Sequence, residues 1–161
     1  MGMALIGLVL AASSASALGN GQSAPSFQLE SITSDETFSL EEDIMGSPSV
    51  LVFWTTWCPH CQRELPNMNR LAGEYQKQGV VFLGINAGLN DSRSRAASYL
   101  EQNNIDEFPM VYDNGSTVSR EFGVPGFPTF IVLDADGTIR HQDFAFSQEL
   151  LAKLDSLAGG E

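Results

Sequence analysis

The 161-residue sequence contains few side chains that bind metals or form disulfides: two cysteines, Cys58 and Cys61, and two histidines, His60 and His141. A structural zinc site needs four ligands, usually two cysteine pairs or added histidines at set spacing, and this chain has one pair. A disulfide between cysteines this close in sequence closes almost no loop and would add little stability. Both structural roles for the pair are therefore disfavoured.

Positive charge is also scarce. Eight Lys and Arg residues stand against 20 Asp and Glu residues, which gives a formal net charge of −12, and only Lys77 and Lys153 are lysines. Such an acidic chain is repelled by phosphate backbones and by anionic lipid headgroups. The composition therefore argues against nucleic acid and anionic membrane surfaces as partners.

No apolar run in the sequence is long enough for a comfortable membrane span. Residues 1–19 carry no charged side chain and contain an apolar run from Ala4 to Leu10, followed by Ala15-Ser16-Ala17. This pattern is typical of a secretory signal with its cleavage site, so we predict a periplasmic or otherwise extracytoplasmic protein. A basic n-region is missing. A retained N-terminal anchor and a tail without any targeting role therefore stay open.

The remaining residues, 20–161, have the length and composition of one globular domain. Hydrophobic residues make up 43% of the sequence, and there are ten phenylalanines. This is enough apolar material for one core.

The most informative stretch runs from Trp54 to Pro66 and reads W-T-T-W-C-P-H-C-Q-R-E-L-P. An apolar, strand-like segment at 50–53 precedes it, and apolar residues at helical spacing follow it. The inward positions of this helix are predicted to be Cys61, Leu65, Met68, Ala72 and Tyr75. We predict a strand over 49–55 and a helix over 59–78, with Cys58 as the N-cap and Pro59 at the first helical position, where proline is favoured.

This placement favours redox chemistry. The thiolate is the reactive form of cysteine, and the unpaired N–H groups and dipole at a helix start stabilise an anion. The dipole is worth ~0.3–1 kcal/mol, so a strongly oxidising site would need further donors or charge. We predict that Cys58 attacks a disulfide and that Cys61 resolves the resulting mixed disulfide. His60, between them, is the candidate for additional tuning.

Two motifs resemble those of the thioredoxin superfamily. W-C-P-H-C follows an apolar strand, and Gly123-Val-Pro-Gly-Phe-Pro-Thr-Phe130 is similar to the superfamily's cis-proline loop, with Pro128 as the cis residue. Glu64, in C-x-x-C-x-x-E-x-P, matches the acidic residue of the TlpA/ResA-like branch, which includes periplasmic thioredoxins of cytochrome c maturation. The A-P-x-F opening at Ala24 resembles the added N-terminal hairpin of TlpA-like proteins and peroxiredoxins. The resemblance covers residues 25–158.

The resemblance implies an α/β thioredoxin fold, a central mixed sheet flanked by helices, with an N-terminal β-hairpin extension. It implies a thiol–disulfide oxidoreductase with catalytic Cys58, Cys61 and Glu64 and with redox tuning by Pro59 and His60. Substrate binding would fall to residues around the thiols, namely Trp57, Phe127 and Pro128. Glu64 would relay the proton of Cys61; alternatively, it is exposed and pairs with His60 one helical turn away.

The resemblance further implies protein thiols or disulfides as substrates, such as the haem-attachment cysteines of apocytochrome c, and a membrane electron donor. No cofactor or metal is expected, and a monomer is expected. Three alternatives stay open. C-P-H-C is also similar to the active site of DsbA-type oxidants, and a copper-binding dithiol module is a further alternative. A peroxidase of peroxiredoxin type matches only at Thr55, because Leu51 stands where that class has proline.

The remaining elements follow from periodicity and turn residues. We predict a hairpin from segments 24–29 and 37–40, a short helical turn at 40–44, strands at 80–86, 110–112, 128–133 and 138–144, and helices at 92–103 and 117–122. Ser147 is predicted to cap a last helix. His141 is predicted to lie on a surface strand, and Trp54 is equally compatible with partial exposure and with the core.

Overall fold

A computed structural model of the protein describes residues 18–159, so the predicted targeting segment lies almost wholly outside the described residues. The described part contains a mixed seven-stranded sheet. Its strands are β1 (Gln28–Ser31), β2 (Thr37–Ser39), β3 (Ser49–Trp54), β4 (Val81–Asn86), β5 (Met110–Tyr112), β6 (Thr129–Leu133) and β7 (Ile139–Asp143). Its helices are α1 (Pro59–Gln76), α2 (Arg93–Gln102), α3 (Thr117–Glu121) and α4 (Gln148–Ala158), with short helical turns at Leu40–Ile44 and Asn114–Ser116.

The strand order is β2-β1-β5-β4-β3-β6-β7. β3, β4 and β5 run parallel because α1 and α2 carry the chain back between them. β6 pairs antiparallel with both β3 and β7, and the turn before β7 contains Gly137 at φ 80°. The predicted α/β mixed sheet with an N-terminal hairpin is confirmed. The hairpin joins the sheet through antiparallel pairing of β1 with β5, which the sequence pattern did not predict.

The central strand β3 is buried along its whole length. Its alternate side chains divide the core in two: Val50, Val52 and Trp54 pack on the α1 side, and Leu51 and Phe53 pack on the opposite side. Burial on both faces explains why β3 reads as a continuous apolar run. Trp54 therefore lies in the core, which decides between the two interpretations left open by the sequence.

Helix α1 begins and packs as predicted. Its buried residues are Cys61, Leu65, Met68, Ala72 and Tyr75. The helix continues past Pro66 and ends at Gln76, two residues before the predicted end. Gly79, at φ 82°, follows the last turn, and Val80 N–H bonds to the Tyr75 carbonyl, which closes the helix end.

The prediction for His141 is wrong. Its strand, β7, is at the edge of the sheet, but His141 is only 9% exposed. Helix α4 packs against β7, and Glu149 of that helix lies 3.9 Å from His141 Nδ1. An edge strand covered by a helix is not distinguishable from an exposed one by its own sequence.

Within residues 18–159, no helix is both long and apolar enough to cross a bilayer.

Candidate active site

The two cysteines lie where β3 ends and α1 begins. Cys58 is the N-cap of α1 with extended backbone (φ −85°, ψ 112°), and its Sγ accepts the Cys61 N–H at 3.1 Å. A thiol sulfur thus occupies the position that a serine or aspartate oxygen usually takes at a helix start. The sequence predicted this arrangement from the strand, the proline and the helical spacing.

Both thiols are free and sheltered. Cys58 is 4% exposed and Cys61 is 1% exposed, whereas the neighbouring Trp57 is 48% exposed and Pro59 and His60 are exposed. The pair therefore lies just beneath the surface, with Cys61 on the inner side of the helix. A partner would approach past Trp57, Pro59 and His60.

Burial raises the pKa of the Cys61 thiol above its usual value, and the hydrogen bond with Cys58 adds to this effect. Burial disfavours the charged thiolate because an apolar environment solvates it poorly. Cys61 consequently keeps its proton at neutral pH. The two cysteines therefore differ chemically. Cys61 is a buried, protonated thiol, whereas the Cys58 sulfur lies at the start of the helix.

The proline loop touches the first cysteine. The Phe127–Pro128 peptide bond is cis, as predicted. The Cys58 thiol donates to the Phe127 carbonyl at 3.3 Å. The Trp57 and Phe127 rings meet edge to face with centroids 6.2 Å apart. The three residues predicted to contact substrate, Trp57, Phe127 and Pro128, are thus brought together around Cys58.

Glu64 lies one turn beyond Cys61 on α1 and is half-buried. Its Oε2 accepts the Phe146 N–H at 3.3 Å, which connects α1 to the segment before α4. Among the ion pairs of residues 18–159, none joins Glu64 to His60, so the alternative of an exposed Glu64–His60 pair is not observed. The proton-relay role of Glu64 remains a prediction.

A buried carboxylate next to the thiol loop was not predicted from the sequence. Asp91, before α2, accepts hydrogen bonds from the Thr56 N–H at 2.7 Å and the Thr56 hydroxyl at 2.9 Å. The only sequence signal is Asp91-Ser92 ahead of a helical pattern, which by itself indicates no more than a helix start. Contact between residues 35 positions apart requires the assembled sheet.

A tyrosine also lies beside the pair. The ring of Tyr99 on α2 packs against Trp54 with centroids 5.7 Å apart. Burial raises the pKa of Tyr99, and the nearby Cys61 and Cys58 add to the shift. Its phenol therefore stays protonated at neutral pH, and it forms part of the sheltered wall around the thiols.

In the part of the chain that the structure describes, no group of three or more His, Cys, Asp or Glu side chains is arranged to hold a metal ion.

Comparison with known proteins identifies the family of the chain. Residues 20–142 match the model of the AhpC/TSA family. The thiol-disulfide oxidoreductase ResA of Halalkalibacterium halodurans is 35% identical over 119 residues, which cover 74% of this chain and 65% of that protein. The chain thus spans slightly less than two thirds of that relative's length.

Solved structures give the same fold. A thiol-disulfide oxidoreductase from Bacteroides fragilis superposes with a TM-score of 0.74 at 25% identity, covering 84% of this chain and 99% of that one. A secreted Mycobacterium tuberculosis disulfide oxidoreductase, described as homologous to Escherichia coli DsbE, superposes with a TM-score of 0.65 at 28% identity, covering 80% and 92%. The chain belongs to the AhpC/TSA family of the thioredoxin superfamily, and its relatives include proteins named thiol-disulfide oxidoreductases.

Proposed function

We propose that this protein is a thiol–disulfide oxidoreductase that exchanges disulfides with cysteines of other proteins. The observation that carries the proposal is the position of Cys58 Sγ. It lies at the start of α1, 3.1 Å from the Cys61 N–H and 3.3 Å from the carbonyl that precedes Pro128. A sulfur in this position has a donor for its anionic form and a neighbouring peptide segment that can align a partner.

In the reductive direction the Cys58 thiolate attacks one sulfur of a substrate disulfide. A Cys58–substrate disulfide forms, and the second substrate sulfur leaves as a thiolate that takes up a proton. Cys61 then loses its proton and attacks Cys58 Sγ. The Cys58–Cys61 disulfide forms, the substrate's remaining sulfur leaves, and two electrons have passed to the substrate. Glu64 serves as the group that takes the Cys61 proton.

Substrate contact falls to the exposed surface around Cys58. Trp57 and Phe127 supply aromatic area next to the thiol, and Pro128 holds the loop whose carbonyl already reaches Cys58. Aromatic side chains bury large apolar areas and dominate the energetics of such contact surfaces. Pro59 and His60, the exposed residues between the cysteines, tune the potential of the pair.

Substituting each cysteine separately tests the assignment. Cys58→Ser is expected to abolish exchange with a model disulfide. Cys61→Ser, the matched variant, is expected to accumulate a mixed disulfide through Cys58, visible by mass spectrometry. Exchange by Cys58→Ser at the parent rate, or trapping through residue 61 instead, would overturn the proposal. Circular dichroism of each variant checks that the fold is retained.

The direction of electron flow follows from the reduction potential, measured against a glutathione buffer. A value at or below about −250 mV would identify a reductant. A value near about −120 mV would instead identify an oxidant. Because each ~30 mV changes the equilibrium tenfold, the two outcomes are well separated.

The proposed setting is extracytoplasmic, with the protein acting as a monomer supplied with electrons by a membrane donor. The extracytoplasmic setting is supported by the uncharged, apolar N-terminal sequence and by the similarity to a secreted disulfide oxidoreductase. We propose haem-attachment cysteines of apocytochrome c as the substrate. Faster reduction of an oxidised C-x-x-C-H peptide than of the same peptide with its histidine replaced by alanine would support this assignment. Equal rates would contradict it.

A further inference from the structure

A buried carboxylate lies at the end of the loop between β4 and α2. The Asp91 side chain is 0% exposed. Its Oδ2 accepts the Thr56 N–H at 2.7 Å and the Asn86 Nδ2 at 2.9 Å. Its Oδ1 accepts the Thr56 hydroxyl and the Ser92 N–H, both at 2.9 Å. We call Asp91 and its three donor residues, Thr56, Asn86 and Ser92, the Asp91 clasp.

The clasp holds the segment that leads into the first cysteine. Thr56 stands two residues before Cys58, and its carbonyl is held by Gln62 Nε2 of α1 at 2.9 Å. The next residue, Trp57, donates its indole N–H to the Leu89 carbonyl at 2.7 Å. The loop before Cys58 is thus bonded to the β4–α2 loop on one side and to α1 on the other.

We propose that Asp91 is a positioning residue for Cys58, acting through Thr56 to hold the thiol at the start of α1. The proposal rests on the proposed function. Hydrogen bonds to a charged acceptor are roughly twice as strong as neutral ones, so the clasp restrains the loop more firmly than backbone bonds alone. Loss of this restraint lets Cys58 Sγ leave the position in which it accepts the Cys61 N–H.

A second buried carboxylate provides a matched control. Asp113 is 1% exposed and accepts three hydrogen bonds from the start of α3: from Val118 N–H at 3.1 Å, from Ser119 N–H at 2.8 Å and from the Ser119 hydroxyl at 2.7 Å. None of these hydrogen bonds involves the loop before Cys58. Asp91 also lies 3.6 Å from Arg95 Nη1, an ion pair that Asp113 lacks among the described residues. Asp113→Asn therefore weakens a buried hydrogen-bond network around a carboxylate without releasing the thiol loop.

Asp91→Asn replaces one acceptor oxygen by a donor of nearly the same size. Whichever oxygen is replaced, a backbone N–H, that of Thr56 or that of Ser92, then faces an NH₂ group. Thr56→Val is the milder variant, because it removes the hydroxyl bond and keeps the other three. It also decides the question if Asp91→Asn does not fold.

The experiment compares the full chain with Asp91→Asn, Thr56→Val and Asp113→Asn. The readouts are the rate of Cys58 alkylation by iodoacetamide between pH 5 and 9, the reduction potential and the free energy of unfolding. We expect Asp91→Asn to slow alkylation at neutral pH by roughly tenfold and to shift the pH profile and the potential, because Cys58 Sγ then loses the Cys61 N–H that stabilises its thiolate. Thr56→Val is expected to be intermediate. Asp113→Asn is expected to lose stability with alkylation unchanged.

Alkylation and potential at parent values in Asp91→Asn, or in Thr56→Val if the former does not fold, would overturn the proposal. An equal change in Asp113→Asn would also overturn it, because the effect would then follow general loss of packing. Alkylation does not require disulfide exchange. A parent protein that exchanges no disulfides would therefore refute the proposed function. The alkylation rates of the variants would still test the role of Asp91.

Discussion

Cys61 is buried, and burial raises the pKa of its thiol above the usual value of 9.0. Below pH 9 both the folded and the unfolded chain keep this proton, so this group gives the free energy of unfolding no dependence on pH. Above pH 9 the unfolded chain loses the proton while the folded chain keeps it. The free energy of unfolding should then fall by about 1.4 kcal/mol per pH unit from this group.

Urea unfolding of the reduced protein at pH 8, 9 and 10 measures this slope. Cys61→Ser is expected to lose less stability than the parent between pH 9 and 10. Burial also raises the pKa of Tyr75 to about 12, with the Asp155 hydrogen bond as the next cause, and this contribution is common to both proteins. Identical slopes in the two proteins would show that Cys61 titrates normally.

Glu64 offers a test of the proton relay. Glu64→Gln keeps an oxygen that can accept the Phe146 N–H, so the fold should be retained. It removes the carboxylate, and the rate at which Cys61 resolves a mixed disulfide should fall by ~10²-fold with an altered pH dependence. Stopped-flow measurement between pH 6 and 9 reports this rate.

The control is Glu74→Gln on the same helix, an exposed residue 3.9 Å from Arg70. It should leave the rate unchanged. A Glu64→Gln protein with the parent's rate and pH profile would exclude the relay.

For single residues, the sequence predicted those positions that depend only on short spacing along the chain. Cys58, Pro59 and Cys61 lie within one helical turn, so their placement needs only the helix and its start. Asp91 and His141 could not be assigned in the same way, because their surroundings come from distant segments. Asp91 is defined by Thr56, 35 residues earlier, and His141 is covered by α4.

The helices and strands could be predicted from the sequence where apolar periodicity was strong. The pairing of the strands was harder to predict. α1, β4 and β5 fall within two residues of their predicted bounds. The β1–β5 pairing was not predicted, because the two strands are far apart in the sequence. Nothing in the sequence of either strand shows which other strand it pairs with. The short loops between elements were predicted as turns, without their contacts.

The loop between β4 and α2 contains a glycine that the packing requires. Gly88 has φ 65°, and a Cβ there would lie 2.4 Å from the Asp113 carbonyl oxygen, a backbone atom. Gly88→Ala should therefore combine left-handed strain of roughly 1–2 kcal/mol with overpacking of about 1–3 kcal/mol. Gly79 has φ 82°, but a Cβ there would meet no atom within 4 Å, so Gly79→Ala is the matched control.

Urea unfolding of Gly88→Ala and Gly79→Ala separates the two contributions. Gly79→Ala should show the strain alone, and Gly88→Ala should be the less stable by the cost of the collision. Equal stability losses would mean that the loop moves away from Asp113 freely. Such freedom would also weaken the case for a firmly held Asp91 clasp.

For the whole molecule, the dominant long-range property is a net charge of −12. The field of such a charge attracts cationic partners at low salt, and a Debye length of about 30 Å at 0.01 M shrinks to about 8 Å at 0.15 M. We expect kcat/KM for a cationic disulfide peptide to fall by roughly tenfold over this range of ionic strength. A neutral peptide with the same cysteine pair should change little, and an anionic one should react faster as salt is added. The three peptides share the same cysteine pair and differ only in charge. If all three showed the same salt dependence, the dependence would come from the thiol site itself, and steering by the overall charge would be contradicted.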